Sequence, residues 1–201
     1  MREAIKQAIK QNQGSFDLDL AEEKIELLAE HHALVREHDP MLHLVAPCTP
    51  AEFAVRHILE SLTMLEFLDE GARLADVGPG GGFPSVPCLI VRDDLTGVLI
   101  ESKAKKAEFL RSVVEELGLV HRAAVVNKQF SEIPKPAGAI ACCRALDRFS
   151  AVLPKLLKWS GRDPSLLFGG PALRKALTGS KRRFTEKLMP LSEQRYLFRL
   201  E

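Results

Sequence analysis

The segment Asp76-Val77-Gly78-Pro79-Gly80-Gly81-Gly82-Phe83-Pro84 begins in the last residues of the apolar run 73–78. Glycines at such density let a backbone turn tightly and approach a ligand where a Cβ would collide. A P-loop needs Lys followed by Ser or Thr after its last glycine, and Phe83-Pro84 supplies neither, which disfavours a nucleoside triphosphate. The dinucleotide fingerprint spaces its glycines G-x-G-x-x-G, whereas this loop reads as Gly78-x-Gly80-x-Gly82 with an acid, Asp76, two positions before the first glycine. Glu101 closes the next apolar run. A planar carboxylate there can accept both hydroxyls of a ribose. Loop and carboxylate together point to an adenosine-containing ligand. Asp76 and Pro84 favour S-adenosylmethionine, with Asp76 expected at its amino-acid end; the ribose carboxylate by itself suits a nicotinamide dinucleotide equally.

These residues need a scaffold, and the pattern after Gly71 supplies one. Short apolar runs at 73–78, 97–101, 123–126, 138–143 and 165–168 read as buried strands. A helix is expected over 103–117 with Gly118 as its C-cap, and another over 147–159 with Pro154 as a kink. The stretch from Arg182 to Leu200 reads as a closing pair of strands. Repeated βα units of this size predict an α/β, doubly wound, mostly parallel sheet. The first 70 residues read as helical. One helix is expected over 21–35, with Pro40 just past its end, and a second opens at Thr49-Pro50-Ala51-Glu52, where Thr49 suits the N-cap. The organisation expected is a helical extension, 1–70, and a Rossmann-like domain, 71–201.

With 201 residues, 46% of them hydrophobic, the chain has material for one α/β domain plus such an extension. Its net charge of +1 conceals an asymmetry. Residues 1–143 carry 15 Lys and Arg against 22 Asp and Glu, whereas residues 144–201 carry 13 against 5. An anionic partner is expected on the C-terminal side. Cys48, Cys88, Cys142 and Cys143 form no CxxC and no zinc-like spacing, so no metal is expected and a reducing, cytoplasmic setting fits. No apolar run reaches the length of a bilayer span, and the charged start Met1-Arg2-Glu3 carries no secretory signature, so no membrane partner is expected.

Several motifs resemble those of one family. The loop Asp76–Pro87 is similar to its D-[IV]-G-[ST]-G-x-G-[FL]-P-G-[IV]-P segment. Arg56-His57-Ile58-Leu59-Glu60-Ser61-Leu62 is similar to its R-H-[IF]-x-[DE]-S-L helix. Ile100-Glu101-Ser102, with Lys105-Lys106 and Phe109-Leu110, is similar to its [LI]-[DE]-S-x-x-K-R-x-x-F-L stretch, and Cys143-Arg144-Ala145 falls where it carries S/A-R-A. The chain thus resembles the RsmG/GidB-type 16S ribosomal RNA (guanine-N7) methyltransferases over about residues 20–200.

The resemblance implies a class I S-adenosylmethionine-dependent methyltransferase fold with an antiparallel last strand, acting on small-subunit ribosomal RNA or a pre-ribosomal particle. On that reading the cofactor contacts are Asp76, Gly78, Gly80, Gly82, Phe83, Glu101, Gln129, Phe130 and Arg144, and Arg144 is also the catalytic candidate. RNA contacts are expected from Arg148, Lys181, Arg182, Arg183 and Arg195. Guanine N7 has no proton to lose, so attack on a sulfonium methyl needs no general base, and catalysis should rest on orientation and exclusion of water. The chain departs from the family at His43-Leu44-Val45 (Asn-Leu-Thr), Ala139 (Asp) and Gly169-Gly170 (Lys-Gly). Rival readings keep the fold and change the role: a methyltransferase for another RNA or a small molecule, or a catalytically silent, cofactor-binding ribosome-associated protein.

Overall fold

The computed structural model describes residues 2–144 and 149–201. Seven strands form one sheet: β1 (Arg73–Val77), β2 (Thr96–Ile100), β3 (Ala123–Val126), β4 (Ala139–Arg144), β5 (Ser165–Gly169), β6 (Phe184–Leu188) and β7 (Tyr196–Leu200). Their order is β3-β2-β1-β4-β5-β7-β6, parallel except that β7 runs antiparallel to both neighbours. This is the doubly wound, mostly parallel sheet expected from the sequence, with its antiparallel last strand. The strand order reverses between β1 and β4, whose neighbours run outward in opposite directions. Such a switch point leaves a crevice at the C-terminal strand ends.

Alternation along the strands builds two hydrophobic layers. Leu74, Leu99, Cys142 and Leu166 belong to one core, and Ala75, Val98, Cys143 and Leu167 to the other. The second layer also takes Leu153 and Leu156 of α7 (Phe149–Ser160), which continues through Pro154. The first takes α5 (Ser85–Val91), α6 (Ala104–Glu116) and, in the same cluster, the N-terminal helices. Ile5 and Ile9 of α1 (Arg2–Asn12) and Leu28 of α2 (Glu22–Leu42) share a core with Leu89 and Leu110.

Two N-terminal details differ from expectation. Helix α2 runs on to Leu42 with Pro40 inside its last turns. The proline lacks the N–H that would bond to the carbonyl of Arg36, and only two helical residues follow it. His43 then adopts φ 50° and its N–H donates to Asp39 O at 2.9 Å. Asp39 Oδ1 accepts the amides of Leu44 and Val45 at 2.8 and 2.9 Å, folding the chain back over the sheet edge. The expected second helix starts at the Thr49 cap, where Thr49 and Glu52 form a reciprocal capping box, as α3 (Pro50–Phe53). It then widens into a π segment (Ala54–Leu59), returns to α4 (Glu60–Leu62) and ends in a 3-10 turn (Thr63–Phe67). A π segment inside a helix shifts the faces of the residues that follow it. Here it precedes Glu60.

Candidate functional site

A cleft of about 700 Å³ opens at the switch point. Its floor is the turn Gly78-Pro79-Gly80 with Phe83. One wall is Glu101-Ser102-Lys103 beyond β2, and another is Leu42–Ala46, the strap that Asp39 folds back. Arg144, at the tip of β4, and His57, from the π segment, also face it.

The turn departs from ordinary backbone geometry. Gly78 and Gly80 have φ of 69° and 55°, which glycine alone adopts without penalty. A Cβ on Gly80 would meet nothing within 4 Å, so the cleft side of this residue is open space for a ligand. Glu101 is buried, and its two oxygens accept the amides of Gly80 (3.3 Å) and Lys103 (2.9 Å). Each carboxylate oxygen keeps a further lone pair, so the two hydroxyls of a ribose can still be accepted. The cleft thus fits the adenosine moiety for which the loop was read.

Phe83 is packed at its ring face and edge by His31, Phe53 and His57, with centroid separations of 5.0, 5.7 and 5.2 Å. His31 Nε2 donates to Gly81 O at 2.8 Å, pinning the loop from beneath. Burial lowers His31 to about 4. Burial, with Arg144 nearby, lowers His57 to about 3, so both rings stay neutral at physiological pH.

Several expected contacts are placed elsewhere. Asp76 has no exposed surface and lies under the loop instead of facing the cleft. Its Oδ2 accepts the Ser85 amide (3.1 Å) and hydroxyl (2.6 Å), so it clasps the start of α5 instead of reaching a ligand's amino-acid end. Gly82 likewise serves packing: at φ 95° an added Cβ would come within 2.8 Å of Val86 Cγ2 and 3.0 Å of His31 Nε2. Gln129 caps the short turn Phe130–Glu132, and Phe130 packs edge-on against Trp159 at 5.6 Å; neither lines the cleft. The reason is that β3 is the sheet's edge, two strands removed from the switch point.

The clasp on Asp76 carries a pH signature. Burial pushes its carboxyl up to about 8 from an ordinary 3.8. Below about pH 4 folded and unfolded chains both hold the proton; between about 4 and 8 only the folded chain does. Stability should therefore fall as pH rises through this window, by at most about 1.4 kcal/mol per pH unit, and level off above it. Urea unfolding of the wild type and Asp76→Asn across pH 4–9 checks this: the difference between the two should change over the window, and a constant difference would refute the assignment.

The sequence reading did not single out Glu60 for a role. Its carboxylate, 1% exposed, joins two arginines from the C-terminal edge of the sheet: Oε2 accepts from Arg144 Nη2 at 2.9 Å and Oε1 from Arg195 Nε at 2.6 Å. Arg144 Nη1 is buried without a hydrogen-bond partner among the described residues. Burial lowers the Arg144 pKa, which Glu60 opposes. Arg195 thus commits its Nε to Glu60, with its side chain 36% exposed. The only earlier sign was Glu60's place in the Arg56–Leu62 motif. Beyond Arg144 a second cavity of about 360 Å³ lies between Glu60, Phe168, Gly169, Leu173, Arg195 and Tyr196.

The densest basic cluster, Lys181-Arg182-Arg183, lies away from the cleft. Phe184 pairs with Leu200, which pairs with Ser165, the first residue of β5; the cluster thus sits at the N-terminal end of the parallel strands. A five-residue strand, about 16 Å, separates it from the cleft edge. Arg182 is also engaged, donating to the carbonyl oxygens of Gly161, Asp163 and Glu201. Lys181 and Arg183 are exposed, and Arg148 lies outside the described residues.

A family profile described as rRNA small subunit methyltransferase G (GidB) matches residues 24–185. The chain belongs to this family. Among its relatives, a protein of Paracoccus denitrificans named ribosomal RNA small subunit methyltransferase G is 34% identical over 141 residues, covering 70% of each chain. One of the same name from Chromobacterium violaceum is 38% identical over 120 residues, 60% of this chain and 57% of that protein. This chain spans about half the length of most of the curated relatives it matches. Among solved structures, the chain is similar to M. capricolum TrmK in complex with S-adenosyl-homocysteine, with a TM-score of 0.54, 14% identity, and coverage of 70% of this chain and 66% of that one. The family's fold is the Rossmann-like sheet of class I methyltransferases.

Proposed function

We propose that this chain transfers a methyl group from S-adenosylmethionine to guanine N7 of small-subunit ribosomal RNA. The observation that carries the reading is the cleft at the switch point, where Gly78 and Gly80 expose backbone beside the Glu101 carboxylate and Arg144 stands at the rim. Family membership supports the same reaction, and the solved TrmK complex holds the corresponding cofactor product.

S-adenosylmethionine bound there would supply a sulfonium methyl to a ring-nitrogen lone pair by in-line displacement. Glu101 holds the ribose, Gly78 and Gly80 admit the ligand against backbone, and Phe83 with the Leu42–Ala46 strap excludes water. His57, kept neutral, adds no charge to repel a cation. Arg144 positions the acceptor. The acceptor needs no base, and among the described residues the cleft offers no His/Asp pair to act as one. Guanine N7 faces a deep, narrow groove in A-form RNA, so the acceptor must be unstacked. Exposed Lys155, Lys158, Lys181 and Arg183 supply phosphate contacts farther along the RNA. A small-subunit substrate supports a cytoplasmic setting. Among the described residues no helix is long and apolar enough to cross a membrane.

Labelled S-adenosylmethionine incubated with small-subunit RNA, or with particles from cells lacking the enzyme, should yield label in 7-methylguanosine on nucleoside analysis. Label in another nucleoside would reassign the substrate, and cofactor binding with no transfer would favour the silent ribosome-associated protein. Glu101→Ala should weaken cofactor binding by about 1–3 kcal/mol through loss of the ribose hydrogen bonds. Calorimetry reads this, and an unchanged affinity would remove Glu101 from the site.

A further inference from the structure

We infer that the second cavity, beyond Arg144, is a purine subsite in which the Arg144–Glu60 pair distinguishes guanine from adenine. This rests on the methyl-transfer reading in taking the acceptor to be a base. Three observations meet here. Arg144 lines both cavities, so a ring seated in the second has its nearest edge beside the first. Among the described residues Arg144 Nη1 is buried with no acceptor, while Nη2 is fixed on Glu60 Oε2, so one guanidinium carries a further donor next to a carboxylate. Phe168, Leu173, Met189 and Tyr196 give the cavity a largely apolar lining suited to a flat ring.

A donor beside an acceptor is the complement of one edge of guanine, where O6 accepts and the adjacent N1–H donates. Nη1 would donate to O6, and Glu60 would accept from N1–H on a lone pair its two arginines leave open. Adenine reverses both groups: its N6 amine would face the guanidinium and its bare N1 the carboxylate. Both contacts become repulsive. N7 lies on the far side of O6 from N1, so this pairing turns N7 toward the cleft that Arg144 shares. Arg195 has a positioning role, since its 2.6 Å bond holds the second oxygen of Glu60. Gly169 contributes backbone to the wall, and a Cβ there would lie 2.6 Å from Leu173 Cδ2.

The test is calorimetric titration of the S-adenosylhomocysteine-loaded protein with the 5′-monophosphates of guanosine, inosine, adenosine and 2-aminopurine riboside. Guanosine and inosine monophosphates, which share O6 and N1–H, should bind at least about tenfold more tightly than the other two. Glu60→Gln should narrow that ratio; should the variant not fold, the four ligands on the wild type decide alone. Equal affinity for all four, or binding of none, would overturn the subsite. The outcome is separable from the proposed reaction: label in 7-methylguanosine with no purine selectivity keeps the reaction and removes the subsite. Selectivity without transfer keeps the subsite and removes the reaction.

Discussion

Glu60→Ala should destabilise the protein by about 3–5 kcal/mol, because it leaves two arginines facing each other around a buried site with no counter-charge. Arg144 has a side chain only 13% exposed, and burial already opposes its charge. The carboxylate binds a guanidinium on each oxygen, at 2.9 and 2.6 Å, so its loss breaks both contacts and leaves a cavity. Replacing all three residues by apolar side chains of similar volume should cost far less than removing Glu60 alone, because no charge then remains to be buried. Urea unfolding of the single and triple variants measures both. A loss below about 1 kcal/mol for Glu60→Ala would show the arginines to be well hydrated without it.

Gly82→Ala and Gly80→Ala should separate folding from binding. At Gly82 the methyl group would press on Val86 and His31 at 2.8 and 3.0 Å with φ at 95°, and a loss of about 3 kcal/mol or more is expected from overpacking and backbone strain together. Gly80→Ala meets no protein atom within 4 Å, so its cost is the left-handed conformation alone, about 1–2 kcal/mol. Its methyl group points into open cleft, however, and should weaken S-adenosylmethionine binding more than it weakens the fold. Calorimetry and urea unfolding on both variants read the contrast. Equal effects on stability would mean that the loop relaxes freely, contrary to its pinning by His31 and Asp76.

The parts of the site legible in the sequence were those encoded locally. A glycine turn after an apolar run, a carboxylate at the tip of the next strand and a Thr-Pro-Ala-Glu cap are each set within a few residues, and each lies where the sequence puts it. Short apolar runs separated by helical segments likewise announced the sheet. Contacts across long separations were not legible. Glu60 meets residues 84 and 135 positions away, and the π segment before it leaves no mark in the spacing of apolar residues. Asp76 was misread for a related cause: a carboxylate next to a glycine loop serves equally to bind a ligand or to clasp Ser85, and only burial separates the two. In Lys181-Arg182-Arg183 the charges are plain, but which end of the sheet they occupy follows from strand register.

The strap that Asp39 folds over the cleft belongs to the same hydrophobic cluster as α1, α2 and the sheet. Nothing in this arrangement lets the helical extension act as a detachable lid: its release would strip Leu28, Phe53 and Leu59 from the face of the sheet that carries the glycine loop. Ligand occupancy and the docking of the first 70 residues are therefore thermodynamically linked, and any small molecule gripped by the strap tightens the whole protein. Amide exchange in α1 and α2, far from the ligand, becomes a gauge of what the cleft holds.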